Sequence, residues 1–320
     1  MKSGGKTLGF LYLLLILFLI PVTIYRLSAL QNKEDSKKLI LSAVKVPAKQ
    51  TLTQIPTQAP QRQLEQLVKK YLTNQEGKYG VVIKNLKTEE NYYYNEDKKF
   101  NSASLYKLWV MVVAFQKIKD GAWNETEVLS SSVASLDETL STTTPTPVPS
   151  GFTPTPSANE PQIINMKVQE AIEKMITVSD NYAVLLLASR SGSLPITKFL
   201  KDYGLQNSNF KQPPQTTAGD TAIFFEKLYK GEIVDQEYSK KMIDILKQQT
   251  LNDRIPKYLS SIEVAHKTGE LFGSKHDGGI VYTEKGDYII VVLSDTKDSN
   301  KAAENIANFS KAVYDYFTNL

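Results

Sequence analysis

The sequence predicts an α/β (α+β) fold in which one mixed antiparallel sheet is built from strands at both ends of a domain. Helices pack on that sheet, and an all-helical subdomain is inserted between its two halves. Three observations carry this. Two strand-like runs joined by a polar turn, KYGVVIKNL (78–86) and NYYYNED (91–97), stand near the domain start. Three more stand near its end, SIEVAHKTG (261–269), GGIVYTE (278–284) and DYIIVVLSD (287–295). The long stretch between them carries helical spacing of apolar residues.

The elements follow in order. QLEQLVKKYL opens the domain near Gln61, with Leu64, Leu67, Val68, Tyr71 and Leu72 on one helical face. The turn KTEE joins the first two strands, where Tyr92, Tyr93 and Tyr94 read as strand residues. SASLYKLWVMVVAF (102–115) is an amphipathic helix with Leu105, Leu108, Val112, Phe115 and Ile118 on one side. Helices are predicted at 162–178, 180–190, 220–230 with Asp220 as N-cap, and 235–248. The turn EKG makes the last two strands a hairpin. A final helix at 299–317 presents Ile306, Phe309, Val313 and Phe317.

The flanks of the domain have other compositions. Residues 9–25, GFLYLLLILFLIPVTIY, carry no charge and are long enough for a bilayer span, so 9–26 is read as an uncleaved anchor after a short N-terminus at 1–8. Residues 27–60 are rich in Gln, Thr, Lys and Pro and read as a flexible stalk. A Pro/Thr-rich segment at 141–161 is expected to be a surface insertion, because its prolines forbid helix and central strand. Arg26, Lys33, Lys37 and Lys38 balance Lys2 and Lys6, so charge does not fix orientation.

Composition excludes several classes. The 320 residues are 41% hydrophobic with a net charge of +4 and no dense basic stripe, which argues against nucleic acid. With no cysteine there is no disulfide, thiolate metal site or cysteine nucleophile. His266 and His276 have no ligand cluster around them and no G-x-S-x-G elbow elsewhere, and His266 is expected to face away from Lys267 on its strand. No metal and no cofactor are expected.

S-x-x-K occurs five times, from Ser3, Ser42, Ser104, Ser208 and Ser294, and by itself means little. Only Ser104 heads a strong amphipathic helix, where three-residue spacing brings Lys107 to the same face. Free N–H groups at a helix start can also receive an oxyanion. SDN occurs once, at Ser179–Asp180–Asn181, and KTG once, at Lys267–Thr268–Gly269. Asp180 reads as a structural cap.

The order S-x-x-K, SDN, KTG, each on a suitable element, resembles class A β-lactamases and penicillin-binding proteins. The resemblance covers residues 61–320 and implies a β-lactamase/transpeptidase-like fold. It implies Ser104 as the acylated nucleophile, Lys107 as general base or relay, and Ser179 as proton donor to the leaving nitrogen. Asn181 would hold the substrate amide, and Lys267 and Thr268 the substrate carboxylate beside Gly269. The N–H groups of Ser104 and Glu270 would form the oxyanion hole, and Lys275 in GSKHD would also meet the carboxylate. Burial and the second cation Lys267 are expected to leave Lys107 substantially deprotonated at rest.

One part of the family pattern is missing. Class A enzymes hydrolyse the acyl-enzyme with a glutamate in an E-x-x-L-N motif, and LKDYGLQNSNFKQPPQTTAGD (200–220) has no glutamate. Asp202 and Asp220 are its only carboxylates, and Asp220 is read as a cap. The expectation is a membrane-anchored, extracytoplasmic serine hydrolase that acylates readily with β-lactams or peptidoglycan-like peptides and deacylates poorly. The alternatives are a D-alanyl-D-alanine peptidase-like enzyme and a non-catalytic wall-binding module.

Overall fold

The computed structural model describes residues 58–143 and 162–319. The predicted anchor, nearly all of the predicted stalk and most of the predicted 141–161 insertion lie outside them. Among the described residues, no helix is long and apolar enough to cross a membrane.

Five strands form the main sheet, β1 (Lys78–Asn85), β2 (Asn91–Tyr94), β7 (Val264–Leu271), β8 (Ser274–Val281) and β9 (Tyr288–Asp295), while β3 (Phe100–Asn101) with β6 (Gln215–Thr216) and β4 (Val128–Ser132) with β5 (Ile163–Lys167) form two separate pairs. The order in the main sheet is β2-β1-β9-β8-β7 and every neighbouring pair is antiparallel. The sheet thus joins the two ends of the domain as the sequence predicts, with β1 paired to β9 from Lys78↔Asp295 to Asn85↔Tyr288. Alternation sorts the side chains between two cores. Val81, Ile83, Ile290 and Val292 face the first helix (Gln58–Val68) and the last (Ser299–Thr318), meeting Leu64, Val68, Ile306, Phe309, Val313 and Phe317. Val82, Ile289, Val291 and Leu293 face the helical part and meet Phe224 and Phe225 of the helix Ala218–Tyr229. Burial on both faces explains the unbroken apolar run of β9.

The helix after Ser104 begins later than predicted. Ala103–Tyr106 form a 3-10 turn, and the α-helix runs Lys107–Lys119. Every residue from Lys107 to Phe115 is buried, because this helix runs through the middle of the molecule with other helices around it. Four further differences have local causes. The predicted helix 162–178 starts as a strand, Ile163–Lys167, because its β-branched Ile163 and Ile164 pair with the strand Val128–Ser132. A helix at Ser193–Asp202 follows Asn181–Ser191 directly, the two being separated by Gly192 at φ +72°. The first helix starts at Gln58 with Pro60 in its opening turn, where a missing N–H costs nothing. Asp220 is not a cap: Thr217 Oγ1 accepts from Asp220 N at 3.0 Å, while the buried Asp220 carboxylate accepts from Asn207 N and Ser208 Oγ.

β7 and β8 pack tightly at Gly279, where a Cβ would lie 2.4 Å from Ala265 O and 2.6 Å from His266 Cβ. Gly279→Ala is therefore expected to lower the urea midpoint by an amount equivalent to about 1–3 kcal/mol, the usual cost of overpacking. An unchanged midpoint would show that the sheet can open there without cost.

Candidate active site

The 3-10 turn carrying Ser104 is held from three directions. Before it, Phe100–Asn101 pairs with Gln215–Thr216, and Ser102 N donates to Pro214 O at 2.8 Å. Asn101 Oδ1 accepts from Ala103 N at 3.0 Å. Behind it, the fully buried His276 on β8 bridges Asn101 O, 2.8 Å from its Nε2, and Ser294 N, which donates to Nδ1 at 3.0 Å. Accepting at Nδ1 puts the proton on Nε2, and burial holds the ring neutral by lowering its pKa to about 4. The outer edge of β7 supplies the third hold. Its Gly269 approaches so closely that a Cβ would lie 3.1 Å from Ser102 O and 3.2 Å from Ala103 Cβ. That contact sets the backbone of Gly269 and Glu270 beside Ser104.

Two residues here have backbone angles that side-chain-bearing residues rarely adopt, Ala103 at φ +46° and Ser179 at φ +57°. Strain of this kind persists where the surroundings enforce it, and it gathers at functional sites. Ser179 opens the short link into the helix Asn181–Ser191, whose N-cap Asp180 accepts from Ala183 N at 2.8 Å as predicted.

Lys107, Ser179, Asn181 and Lys267 meet in one hydrogen-bonded group. Lys107 Nζ donates to Ser179 O at 2.6 Å and to Asn181 Oδ1 at 2.8 Å, and lies 3.1 Å from Ser179 Oγ. Lys267 Nζ donates to the same Ser179 Oγ at 3.0 Å and to Thr268 O at 3.0 Å. Both lysines are fully buried, and among the described residues no carboxylate hydrogen-bonds to either. Burial lowers Lys107 to about 7, with Asp180 pulling partly back. Lys267 is pushed well below its ordinary value by burial first and by the charge of Lys107 second. Two ammonium groups on one hydroxyl repel, so the pair prefers to share less than two protons. With Lys107 neutral, Lys267 can donate to Ser179 Oγ and Ser179 can donate to the Lys107 lone pair.

Ser104 is partly exposed and shares a cleft of about 660 Å³ with Asn101, Ser179, Asn181, Thr268 and Glu270. The volume suits a small organic ligand. Among the described residues the Ser104 hydroxyl has no hydrogen bond, so the amine of Lys107 rests on Ser179 rather than on Ser104. Such contacts commonly tighten only when substrate binds. Lys275 differs from expectation: it does not line the cleft, and its ammonium lies 2.5 Å from Glu270 Oε2 and 3.7 Å from Asp253. Neither histidine reaches Ser104. His266 Nδ1 lies 2.9 Å from Asp277 and Nε2 3.0 Å from Asn252, on the side of β7 away from Lys267 as predicted. Among the described residues no cluster of three metal-ligating side chains exists.

Sequence reasoning missed part of the cleft. Phe210, Gln212, Pro213 and Pro214 form one wall, brought there by the Phe100–Thr216 and Ser102–Pro214 contacts. Nothing in the polar, proline-rich pattern of the 200–220 segment reveals which residue faces the cleft. Arg254, buried behind Glu270, has no periodic signal in the loop LNDRIP.

The buried pair has an equilibrium signature. Carbon NMR of labelled lysines is expected to show Lys107 Cε titrating near pH 7, more than three units below an ordinary lysine, as burial favours the neutral form. In the folded protein the proton is lost near pH 7, whereas the unfolded chain keeps it to about 10.5, so stability should rise with pH across that window. A midpoint near 10 would contradict this.

Comparison with known proteins shows that the fold is shared. A β-lactamase from Sphaerobacter thermophilus superposes with a TM-score of 0.69 at 19% identity, covering 81% of this chain and 98% of its own. PBP-A superposes with a TM-score of 0.68 at 23% identity, covering 86% and 100%. A PBP-A variant solved as an acyl-enzyme complex with penicillin-G does so at 0.68 and 24%, also covering 86% and 100%. No curated protein sequence matches the chain. Residues 60–317 match the family described as the beta-lactamase enzyme family. The chain belongs to that beta-lactamase enzyme family, serine hydrolases of amide and β-lactam bonds.

Proposed function

We propose that the protein is a membrane-anchored serine acyl-transfer enzyme that opens β-lactams or related cell-wall amides at Ser104 and releases the acyl group slowly. The observation that carries the reading is the buried Lys107–Ser179–Lys267 chain, which reaches through Ser179 the cleft that Ser104 also lines. A serine hydroxyl needs a base to become a nucleophile. Neutral Lys107 takes the Ser104 proton as the hydroxyl oxygen attacks the substrate carbonyl carbon. The N–H groups of Ser104 and Glu270 receive the oxygen that becomes negative. The proton then passes from Lys107 through Ser179 Oγ to the leaving nitrogen as the C–N bond breaks, and an ester on Ser104 remains. Asn181 holds the substrate amide, and Lys267 with Thr268 receives its carboxylate.

Hydrolysis of that ester needs a water activated by a base. Among the residues lining the cleft, Glu270 is the sole carboxylate, and it is engaged by Arg254 and Lys275. Gln212 lines the opposite wall, and a neutral amide takes no proton. Asp202 pairs with Lys198 and Asp220 is buried under Ser208, both outside the cleft. A D-alanyl-D-alanine peptidase-like activity on the same residues is the second reading. It is favoured by the lack of a free carboxylate among the residues lining the cleft. The charge-free stretch at 9–25 supports an anchor, and the occurrence of such substrates outside the cytoplasm supports the orientation with the short N-terminus inside and the domain outside.

A chromogenic cephalosporin should give a burst of one equivalent per protein followed by slow turnover, and Ser104→Ala should abolish the burst. Fast steady turnover without a burst would refute the reading. Gln212→Glu should raise steady turnover at least about tenfold with the burst retained, the low end of what a placed general base contributes. No rise would mean that this wall does not hold the hydrolytic water.

A further inference from the structure

Glu270 follows the KTG motif directly, and its carboxylate does something the backbone role of that position does not require. Glu270 Oε2 lies 2.6 Å from Arg254 Nη2 and 2.5 Å from Lys275 Nζ. The three side chains differ sharply in exposure, 2% for Arg254, 6% for Lys275 and 56% for Glu270. The two cations are fixed in the protein, and the carboxylate is the exposed, movable member. Asp253 also faces the pair, 3.5 Å from Arg254 Nη1 and 3.7 Å from Lys275 Nζ, outside hydrogen-bond range and away from the cleft lining. Lys267, which Arg254 repels as a like charge, adds a third buried basic group at this end.

The bonding is also incomplete. A guanidinium offers a planar fork of five donors that suits a two-pronged carboxylate. Here Glu270 offers a single oxygen to both cations, and among the described residues its Oε1 has no partner. Among the described residues, no group hydrogen-bonds to the buried Arg254 Nε and Nη1. Unpaired buried donors are rare and ask for a reason.

We infer that Glu270 is a specificity residue, an internal carboxylate seated on the Arg254–Lys275 cations that a substrate carboxylate must displace to bind. The inference rests on reading the cleft as an acyl-transfer site for carboxylate-bearing substrates. It explains why Lys275 is turned from the cleft, because Glu270 lies between them. Residues 268 and 270 share a face of β7, so a substrate acid that replaces Glu270 arrives beside Thr268, which lines the cleft. Substrates without an acid face no such competition.

The test uses binding without chemistry, in full-length protein carrying Ser104→Ala. Affinities for benzylpenicillin and for its methyl ester are measured by calorimetry with and without Glu270→Gln, which keeps the shape and removes the charge. Glu270→Gln should tighten benzylpenicillin about tenfold and leave the ester unchanged. Lys275→Gln, alone, should weaken benzylpenicillin and again spare the ester. Equal tightening of both ligands, or weaker benzylpenicillin binding in Glu270→Gln, overturns the inference. Because no acyl group is transferred, failure of Ser104 to acylate in the native protein counts against the proposed function alone.

Discussion

Two fully buried lysines share one serine hydroxyl, with no carboxylate hydrogen-bonded to either among the described residues, and the rest of the site is arranged around that constraint. A buried ammonium without a counter-ion is costly, and the protein lowers the cost by giving up protons rather than by supplying acids. Burial takes Lys107 to about 7, and Lys267 is lowered by burial and by its neighbour. Asp180 and Asp277 act only from a distance, each spent on another task, a helix cap and the His266 contact. A carboxylate placed against either amine would restore its proton and remove the base.

Holding two repelling groups in place requires a stiff frame. Lys107 rides on a helix buried along its apolar length, and Lys267 on the edge strand of a five-stranded sheet. Gly269 lets that strand touch the Ser104 turn, and neutral His276 ties the same turn to β9 through Asn101. These contacts hold the turn with its unfavourable angle at Ala103, and the Ser104 beside it lines one cleft with Ser179, itself at an unfavourable angle. The frame thus connects an ordinary antiparallel sheet to an unusual protonation state.

Much of this was readable from sequence because it is periodic or local. The strands at both ends and the amphipathic helices each leave a mark within a few residues, whereas Ser104, Lys107, Ser179, Asn181 and Lys267 stand out only through the resemblance that the three short motifs in order carry. What escaped depends on contacts between distant segments. Gln212 reaches the cleft only because Phe100–Asn101 pairs with Gln215–Thr216. Glu270 and Lys275 lie five residues apart in sequence, yet their mutual contact follows from the β7–β8 register, and Arg254 joins them from a loop. The strand at Ile163–Lys167 was hidden because its partner, Val128–Ser132, precedes a segment of low complexity that gives no pairing signal.

The same constraint separates the two halves of the reaction. Attack by Ser104 needs only the neutral amine already present, whereas release of the ester needs a base that the cleft wall at Gln212 does not provide. The most direct test is the rate at which benzylpenicillin adds to the intact protein, followed by mass spectrometry from pH 5 to 10. The account predicts one stable adduct on Ser104, formed at a rate that rises with pH and levels above an inflection near 7. An adduct on another residue, or a rate that climbs only in the range of an ordinary lysine, would contradict it.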